Sequence, residues 1–194
     1  DQPRSRGLGD VYKRQVNDNP NDAKAISLGT QVYDTVATEL EQRWYAFSVA
    51  KATKFTAAMV MDDTADFDLY VYKLNETDGT LELVGGSAIV GAGTQELSML
   101  KLDEGIYFIG IEAATGNGSF LMYTYAGVND GKEINDTTDL ASSYVRNSRM
   151  TATIDSPFDY DYYKVVISKN DILEYTFDQP TGCDYTVSYT HLTL

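Results

Sequence analysis

Side chains that carry oxygen cluster in two irregular segments of this 194-residue chain, at residues 18–22 and 133–139. Calcium takes six to eight oxygen ligands from carboxylates, amides and carbonyls. The two segments therefore predict calcium sites, with the candidate ligands Asp18, Asn19, Asp22, Glu133, Asn135, Asp136 and Asp139. The alternative is that these Asp and Asn side chains cap turns and the starts of strands, which they also favour.

Tyrosine is frequent, with 15 residues, and four tyrosines form two pairs spaced two residues apart. Tyr70 with Tyr72, and Tyr123 with Tyr125, would each share one face of a strand, because side chains alternate between faces. Such amphipathic rings stack on sugars or grip peptides. We therefore predict a ligand-binding face at these four residues; the alternative places them in the core of one sheet and at the rim of the other.

A further pair of carboxylates, Asp66 and Asp68, is also spaced for one strand face. Like charges at this spacing repel unless a cation or a hydrogen-bond donor lies between them. The alternative is an outer face on which solvent screens the repulsion.

The remaining chemistry argues against an enzyme. Catalysis of the Ser-His, Cys-His or zinc kind uses an imidazole, and the sole histidine is His191 near the end of the chain. H-E-x-x-H, G-x-S-x-G and phosphate-loop motifs are absent. Paired carboxylates could in principle hydrolyse a glycoside, but a domain of about 110 residues seldom encloses the cleft this needs. We predict no catalytic residues.

Charge and hydropathy restrict the partners. The formal net charge of −14 repels nucleic acid and anionic lipid. The sequence has no apolar run near 18 residues, so we expect no membrane insertion. Cys183 is the single cysteine, which excludes a disulfide within the chain but does not define a compartment.

The elements that must position these residues are strands. Short stretches rich in β-branched and aromatic residues, separated by Gly, Asn and Asp turns, predict strands at 32–38, 43–50, 54–61, 67–74, 80–87, 94–100, 105–112 and 118–126. Eight strands in about 110 residues indicate a β-sandwich. Helix is limited to one turn within 21–26. The predicted core comprises Phe47, Val49, Leu69, Val71, Leu97, Leu100, Ile109 and Ile111.

A repeat organises the chain: residues 17–69 align without a gap onto residues 135–187, at an offset of 118. Aromatic positions meet aromatic ones and β-branched meet aliphatic, as where 43–49 falls on 161–167. A period above 100 residues indicates tandem domains rather than a solenoid. The predicted division is a β-sandwich at 16–127, a linker at 128–132 and a truncated second copy at 133–187.

Both ends differ in composition from the rest. The leader 1–15 holds four basic residues, and its stretch RSRGLGDVYKRQ, like the tail VSYTHLTL, resembles translated sequencing-adapter read-through at the ends of metagenomic gene fragments. We therefore expect 1–15 and 188–194 to be artefactual and the natural protein to be longer at both ends. The alternative is a genuine basic linker and a genuine final strand.

The order NDNPNDAKAI, WYAFSV, DDTADFDLYVY and LDEGIYFIGIEAATGNGSFLMYTYA resembles the bacterial pre-peptidase C-terminal (PPC) domain over most of residues 17–126. The resemblance implies an all-β, jelly-roll-like antiparallel β-sandwich, here one complete copy plus a truncated second copy. In the related collagen-binding domains of bacterial collagenases the opening segment holds calcium, which implies Glu133, Asn135, Asp136 and Asp139 as the best-fitting ligands. Two departures are Thr186 in place of Asp68 and the missing closing strands of the second copy.

The resemblance further implies a non-catalytic accessory domain pair of a secreted or cell-surface bacterial protein, associated with an enzyme and serving ligand binding, spacing or stabilisation. The expected partners are neighbouring domains of a longer parent protein and a polysaccharide or extracellular protein, with Ca²⁺ as the possible cofactor. The alternative function is an adhesin or carbohydrate-binding module without an attached enzyme.

Overall fold

The computed structural model describes residues 17–127 and 130–190. The leader 1–15 and His191 lie outside the described residues, as do residues 192–194 of the expected tail. The described chain is strand and irregular structure with one turn of 3-10 helix, Pro20–Asp22, so the all-β prediction and the limit on helix are confirmed. None of the helices in these two ranges is long and apolar enough to cross a membrane.

The eight predicted strands are confirmed within a few residues at each end, and a short strand precedes them. The strands of residues 17–127 are β1 (Lys24–Ala25), β2 (Gln31–Val36), β3 (Gln42–Val49), β4 (Thr53–Met61), β5 (Asp66–Leu74), β6 (Leu81–Ser87), β7 (Glu96–Leu102), β8 (Gly105–Thr115) and β9 (Gly118–Gly127).

These strands form two sheets with the topology of a jelly roll. The first sheet has the order β1-β3-β8-β5-β6 and the second the order β2-β9-β4-β7. The strands pair symmetrically about the β5–β6 hairpin: β5 with β6, β4 with β7, β3 with β8, and β2 with β9, all antiparallel. This nesting is that of one long hairpin folded over itself into two layers, which is how a jelly roll arranges eight strands.

The core lies between the two sheets and takes alternate residues from every long strand. On β5, Phe67, Leu69 and Val71 are fully buried, and Phe47 of β3 stacks on Phe55 of β4 with 4.9 Å between ring centroids. Most of the predicted core is confirmed: Phe47, Val49, Leu69, Val71, Ile109 and Ile111 are buried, and Leu100 is partly buried against them.

The prediction for Leu97 is wrong. Alternation along β7 turns Glu96 and Ser98 inward, where both are buried, so Leu97 lies on the opposite face and is only half-buried. The Glu96 carboxylate is fully buried and accepts the backbone N–H of Ile89 through both oxygens, at 3.0 and 3.2 Å. A hydrogen-bonded carboxylate therefore occupies the inward position that the apolar pattern assigned to leucine.

Residues 130–190 carry little regular structure, namely β10 (Ser142–Ser143) and β11 (Tyr163–Lys164) within that described range. Their parallel pairing repeats the pairing of β1 with β3 at an offset of 118 in both strands. The Asn17 amide donates to the Trp44 carbonyl at 3.0 Å, and the Asn135 amide donates to the Tyr162 carbonyl at 3.3 Å, again at an offset of 118.

Candidate functional site: an aromatic face and a buried carboxylate cluster

The outer face of the first sheet carries a group of aromatic side chains, which we call the aromatic face: Trp44, Tyr70, Tyr72 and Phe108. Strand register brings them together, because Trp44 and Tyr70 both lie opposite Gly110, and Tyr72 lies opposite Phe108. The rings of Trp44 and Tyr72 are 5.3 Å apart between centroids and tilted by 35°. The predicted ligand pair Tyr70 and Tyr72 therefore lies in a larger aromatic group.

Gly110 makes this arrangement possible. A Cβ atom at position 110 would lie 3.1 to 3.2 Å from three carbon atoms of the Trp44 indole. Such contacts are tighter than ordinary van der Waals separation, so a side chain there would push the ring away. The sequence prediction missed Trp44, although a tryptophan on the outward phase of a strand next to a Tyr-x-Tyr strand was a usable signal.

Hydrogen-bond acceptors line one edge of the aromatic face, where Gln42, Glu112 and Asp68 lie in one cross-strand row. The Trp44 indole N–H donates to Gln42 Oε1 at 2.9 Å, and the Gln42 amide donates to Glu112 Oε1 at 3.0 Å. The Tyr70 hydroxyl donates to Asp68 Oδ2 at 3.0 Å. Burial, this hydrogen bond and the nearby negative charges raise the pKa of Tyr70 to about 12.

The carboxylates of Asp66 and Asp68 have separate donors. Asp66 is buried, and its Oδ2 accepts the backbone N–H of Gly91 at 3.0 Å. This bond ties the 88–95 loop to the start of β5, whereas Asp68 holds the Tyr70 hydroxyl.

The second predicted tyrosine pair lies on the outer face of the other sheet. Tyr123 and Tyr125 alternate with the buried Phe120, Met122 and Thr124 of β9, and both are half-buried. The Tyr125 ring meets Phe158 edge-on, with 6.1 Å between centroids. The four predicted ligand-binding tyrosines thus form two sites on opposite sides of the sandwich, and residues 130–190 cover part of the second.

The first predicted calcium segment, residues 18–22, is built as a turn cap. Asn19 Oδ1 accepts the backbone N–H groups of Asn21 and Asp22 at 3.0 and 3.3 Å. The Asn19 amide donates to Asp18 Oδ1 at 3.0 Å and to Asp22 Oδ2 at 2.7 Å. The carboxylates of Asp18 and Asp22 are exposed and oriented by this local network, which is the geometry of the capping alternative.

The second predicted calcium segment, residues 133–139, is different, because most of its candidate ligands are buried. Glu133, Asn135 and Asp136 converge with Asp159 and with the half-buried Asp161, whereas the predicted ligand Asp139 is exposed. We call Glu133, Asn135, Asp136, Asp159 and Asp161 the carboxylate cluster. Oxygens of Glu133, Asp159 and Asp161 lie within 4.8 Å of one another.

A lysine of the first sandwich enters this cluster. Lys54 Nζ is 2.6 Å from Asp159 Oδ1, 3.0 Å from Asp136 Oδ1 and 3.1 Å from Glu133 Oε2, and its side chain is 1% exposed. Burial lowers the pKa of Lys54, but the three acidic partners outweigh it and raise that pKa above its ordinary value.

The cluster remains short of positive charge and of donors. Glu133 Oε1, Asn135 Oδ1 and Asp136 Oδ2 are buried without a hydrogen-bond partner among the described residues. Burial raises the pKa of Glu133 to about 7, although Lys54 opposes the shift. Burial also raises the pKa of Asp161, which accepts the Tyr163 hydroxyl at 3.0 Å. The sequence prediction missed Lys54, Asp159 and Asp161, which are distant from 133–136 along the chain.

Neither a protein-family model nor a curated protein matches the sequence. Among solved structures, the chain is similar to the pre-peptidase C-terminal domain of a collagenase from Bacillus anthracis, at 16% identity and a TM-score of 0.46, over 56% of this chain and 99% of that one. It is also similar to PliG from Aeromonas hydrophila, a periplasmic inhibitor of g-type lysozyme, at 13% identity and a TM-score of 0.41, over 54% of this chain and 95% of that one.

Proposed function

We propose that the chain is a non-catalytic accessory domain pair of a secreted or cell-surface bacterial protein, and that its aromatic face binds an extended polysaccharide. The observation that carries the proposal is the cross-strand grouping of Trp44, Tyr70, Tyr72 and Phe108 beside a row of oxygen acceptors. The half-buried rings of Tyr70, Tyr72 and Phe108 would pack on the apolar faces of sugars, and the buried Trp44 indole would support them through its contact with Tyr72. Glu112 and Asp68 would accept hydrogen bonds from sugar hydroxyls.

The tandem arrangement is part of this proposal. Support comes from the pairs of hydrogen bonds and strand contacts that recur at an offset of 118, in the same spacing as the sequence repeat. A tandem array of such units would hold a neighbouring domain at a distance from the surface that the aromatic face binds.

The test is retention on polysaccharides and collagen during native affinity electrophoresis. Tyr70→Ala and Tyr72→Ala should each abolish the retention seen with wild type, because each removes a ring of the aromatic face. Tyr33→Ala is the matched control, since Tyr33 is 69% exposed on the other sheet, and it should be retained like wild type. Retention of Tyr70→Ala and Tyr72→Ala equal to that of wild type would overturn the role of the aromatic face, and no retention of wild type on any matrix would leave only the spacer role.

We also propose that the carboxylate cluster holds calcium. The unpartnered buried oxygen Oε1 of Glu133 supports a missing cation, as do Asn135 Oδ1 and Asp136 Oδ2, because buried acceptors without partners are costly. A bound calcium ion would supply the positive charge that four carboxylates and one lysine lack. Its ligands would come from Glu133, Asn135, Asp136, Asp159 and Asp161, without Asp139.

Thermal unfolding with calcium and with chelator tests this proposal. A ligand that binds only the folded state stabilises it, by about 2.7 kcal/mol at 100 times its Kd, so calcium should raise Tm. Asp161→Asn should remove the response, while Asp139→Asn, at an exposed position outside the cluster, should keep it. A wild-type Tm that calcium leaves unchanged would overturn the proposal.

The attached partner is the remaining part of the proposed function. An enzyme encoded beside this chain would make it an accessory domain, whereas an adhesin architecture would make it a free-standing binding module. Sequencing the source locus outward from residues 40–120 separates the two, since a protease or glycosidase reading frame is expected only in the first case.

A further inference from the structure

Lys54 lies on a face where a buried lysine is unexpected. Its neighbours Phe55, Ala57 and Met59 point into the core of the sandwich, so strand alternation places Lys54 on the outer face of the second sheet. An outer-face lysine is normally solvated. The side chain is nevertheless 1% exposed, because Glu133, Asp136 and Asp159 of the following unit enclose it.

Two of the three carboxylates that receive Lys54 are held in place by their own unit. Asp159 Oδ2 accepts the backbone N–H of Asp155 at 2.7 Å, and Asp136 Oδ1 accepts that of Tyr160 at 3.3 Å. The three carboxylates together match the three donors of one ammonium group. The following unit therefore presents a preformed cation receptor rather than a flexible acidic loop.

The two units differ at the positions that determine whether the acidic side chains are already paired with a cation of their own unit. In the first unit, the Arg43 guanidinium pairs with Glu41 at 2.8 Å and with Asp34 at 3.7 Å. At an offset of 118, Glu41 and Arg43 correspond to Asp159 and Asp161. The first unit thus carries its cation internally, whereas the second has an acid in that place and takes its cation from the preceding unit.

Close backbone approach accompanies the ion pairs. A Cβ atom on Gly127 at the end of β9 would overlap the Asp155 carboxylate, so the absence of a side chain at 127 lets the two units meet. The Tyr125 ring against Phe158 extends the same contact.

We propose that the outer face of the second sheet around Lys54 is a docking surface for the opening segment of a following domain copy, and that the paired acids Asp159 and Asp161 mark the copy that fits it. The pairing fixes the orientation of successive units. It is also directional, because the preceding unit supplies the lysine and the following unit supplies the acids. Position 172, which corresponds to Lys54 in the second unit, is isoleucine. The second unit therefore lacks the cation that would receive a further acidic copy in this way. The proposal depends on neither polysaccharide binding nor calcium.

The test is hydrogen exchange on the full chain in chelator, comparing Lys54→Met with Lys101→Met. Lys101 is the matched control because it lies directly opposite Lys54 on β7 and is exposed. Lys54→Met should speed exchange at the amides of Tyr144 and Tyr162 about tenfold or more, since removing one partner leaves buried charges unpaired. The β3, β5 and β8 amides should keep their protection, and Lys101→Met should behave as wild type throughout.

Asp159→Asn provides the same test from the other side if Lys54→Met does not fold. It should release the same amides, and the double variant should be no worse than the more harmful single variant, because both changes break one contact. Unchanged exchange at Tyr144 and Tyr162 in Lys54→Met and in Asp159→Asn would overturn the proposal. Exchange that rises equally in β3 and β8 would also overturn it, since Lys54 would then stabilise the first sandwich rather than dock the second unit.

Discussion

At the scale of single residues, the missing side chain at Gly110 determines where the indole of Trp44 lies. Trp44 is the one tryptophan of the chain, and it is buried between Gly110 and Tyr72. Its fluorescence therefore reports directly on the aromatic face. A residue that carries no functional group thus shapes the proposed binding surface.

Replacing that glycine should disturb the surface. Gly110→Val would force the indole outward, so we expect a red shift of the Trp44 emission and a loss of about 1 to 3 kcal/mol in stability from overpacking. Ser48→Val is the control, because Ser48 is exposed on the same face of β3 and a branched side chain there meets open space. An unchanged emission maximum in Gly110→Val would contradict the placement of the ring.

The Tyr70 hydroxyl gives a pH-dependent prediction. Burial, the hydrogen bond to Asp68 and nearby charges raise its pKa to about 12, above the ordinary value near 10 of an unfolded chain. Its contribution to stability is therefore complete below pH 10 and is lost as the pH rises through 12. The difference in denaturant midpoint between wild type and Tyr70→Phe should shrink between pH 9 and 11.5; a constant difference would show that Tyr70 ionises normally.

At the scale of elements, the sequence pattern predicted the strands well because the signal for each strand lies in its own residues, as period-two alternation and flanking turn residues. It failed at β7, where an inward acid replaced an apolar residue and Leu97 turned outward. Sequence pattern also could not predict Asp136 and Asp159 as the partners of Lys54, since they lie 82 and 105 residues away along the chain. Contacts over such separations depend on how distant segments pack together, which periodicity does not encode.

The buried carboxylate of Glu96 on β7 should be stabilised by its hydrogen bonds to the Ile89 backbone N–H. Glu96→Ala would leave the Ile89 N–H without its acceptor and a gap behind it, so we expect a loss of about 1 to 3 kcal/mol in the free energy of unfolding. Glu96→Gln keeps an acceptor oxygen and should lose less. Urea denaturation measures both, and equal losses would show that volume rather than hydrogen bonding matters at this position.

At the scale of the whole molecule, residues 17–127 and 130–190 differ in how much regular structure protects their amides. Residues 17–127 form a two-layer sandwich of long strands, whereas the strands described within 130–190 span two residues each. Much of the apolar surface beyond Tyr163 is exposed, including Val166, Ile172, Tyr175 and Phe177. Long two-layer sheets bury their hydrogen bonds, and short isolated pairings do not.

Wild-type hydrogen exchange should follow this difference. The β3, β5 and β8 amides should be the most protected, those of Tyr144 and Tyr162 intermediate, and those of residues 165–190 close to unprotected. Equal protection in residues 17–127 and 165–190 would mean that residues 165–190 are stabilised by a complete core, contrary to this expectation.

Amide chemical shifts would show whether the aromatic face of the first sheet is the ligand-binding surface. The full, isotope-labelled chain would be titrated with cello-, xylo- and chito-oligosaccharides, with Tyr70→Ala as the binding-deficient control. We predict saturable shifts at residues 42–46, 68–72 and 108–112, lost in Tyr70→Ala. Shifts confined to the second sheet or the carboxylate cluster, or no shift with any oligosaccharide, would contradict the claim.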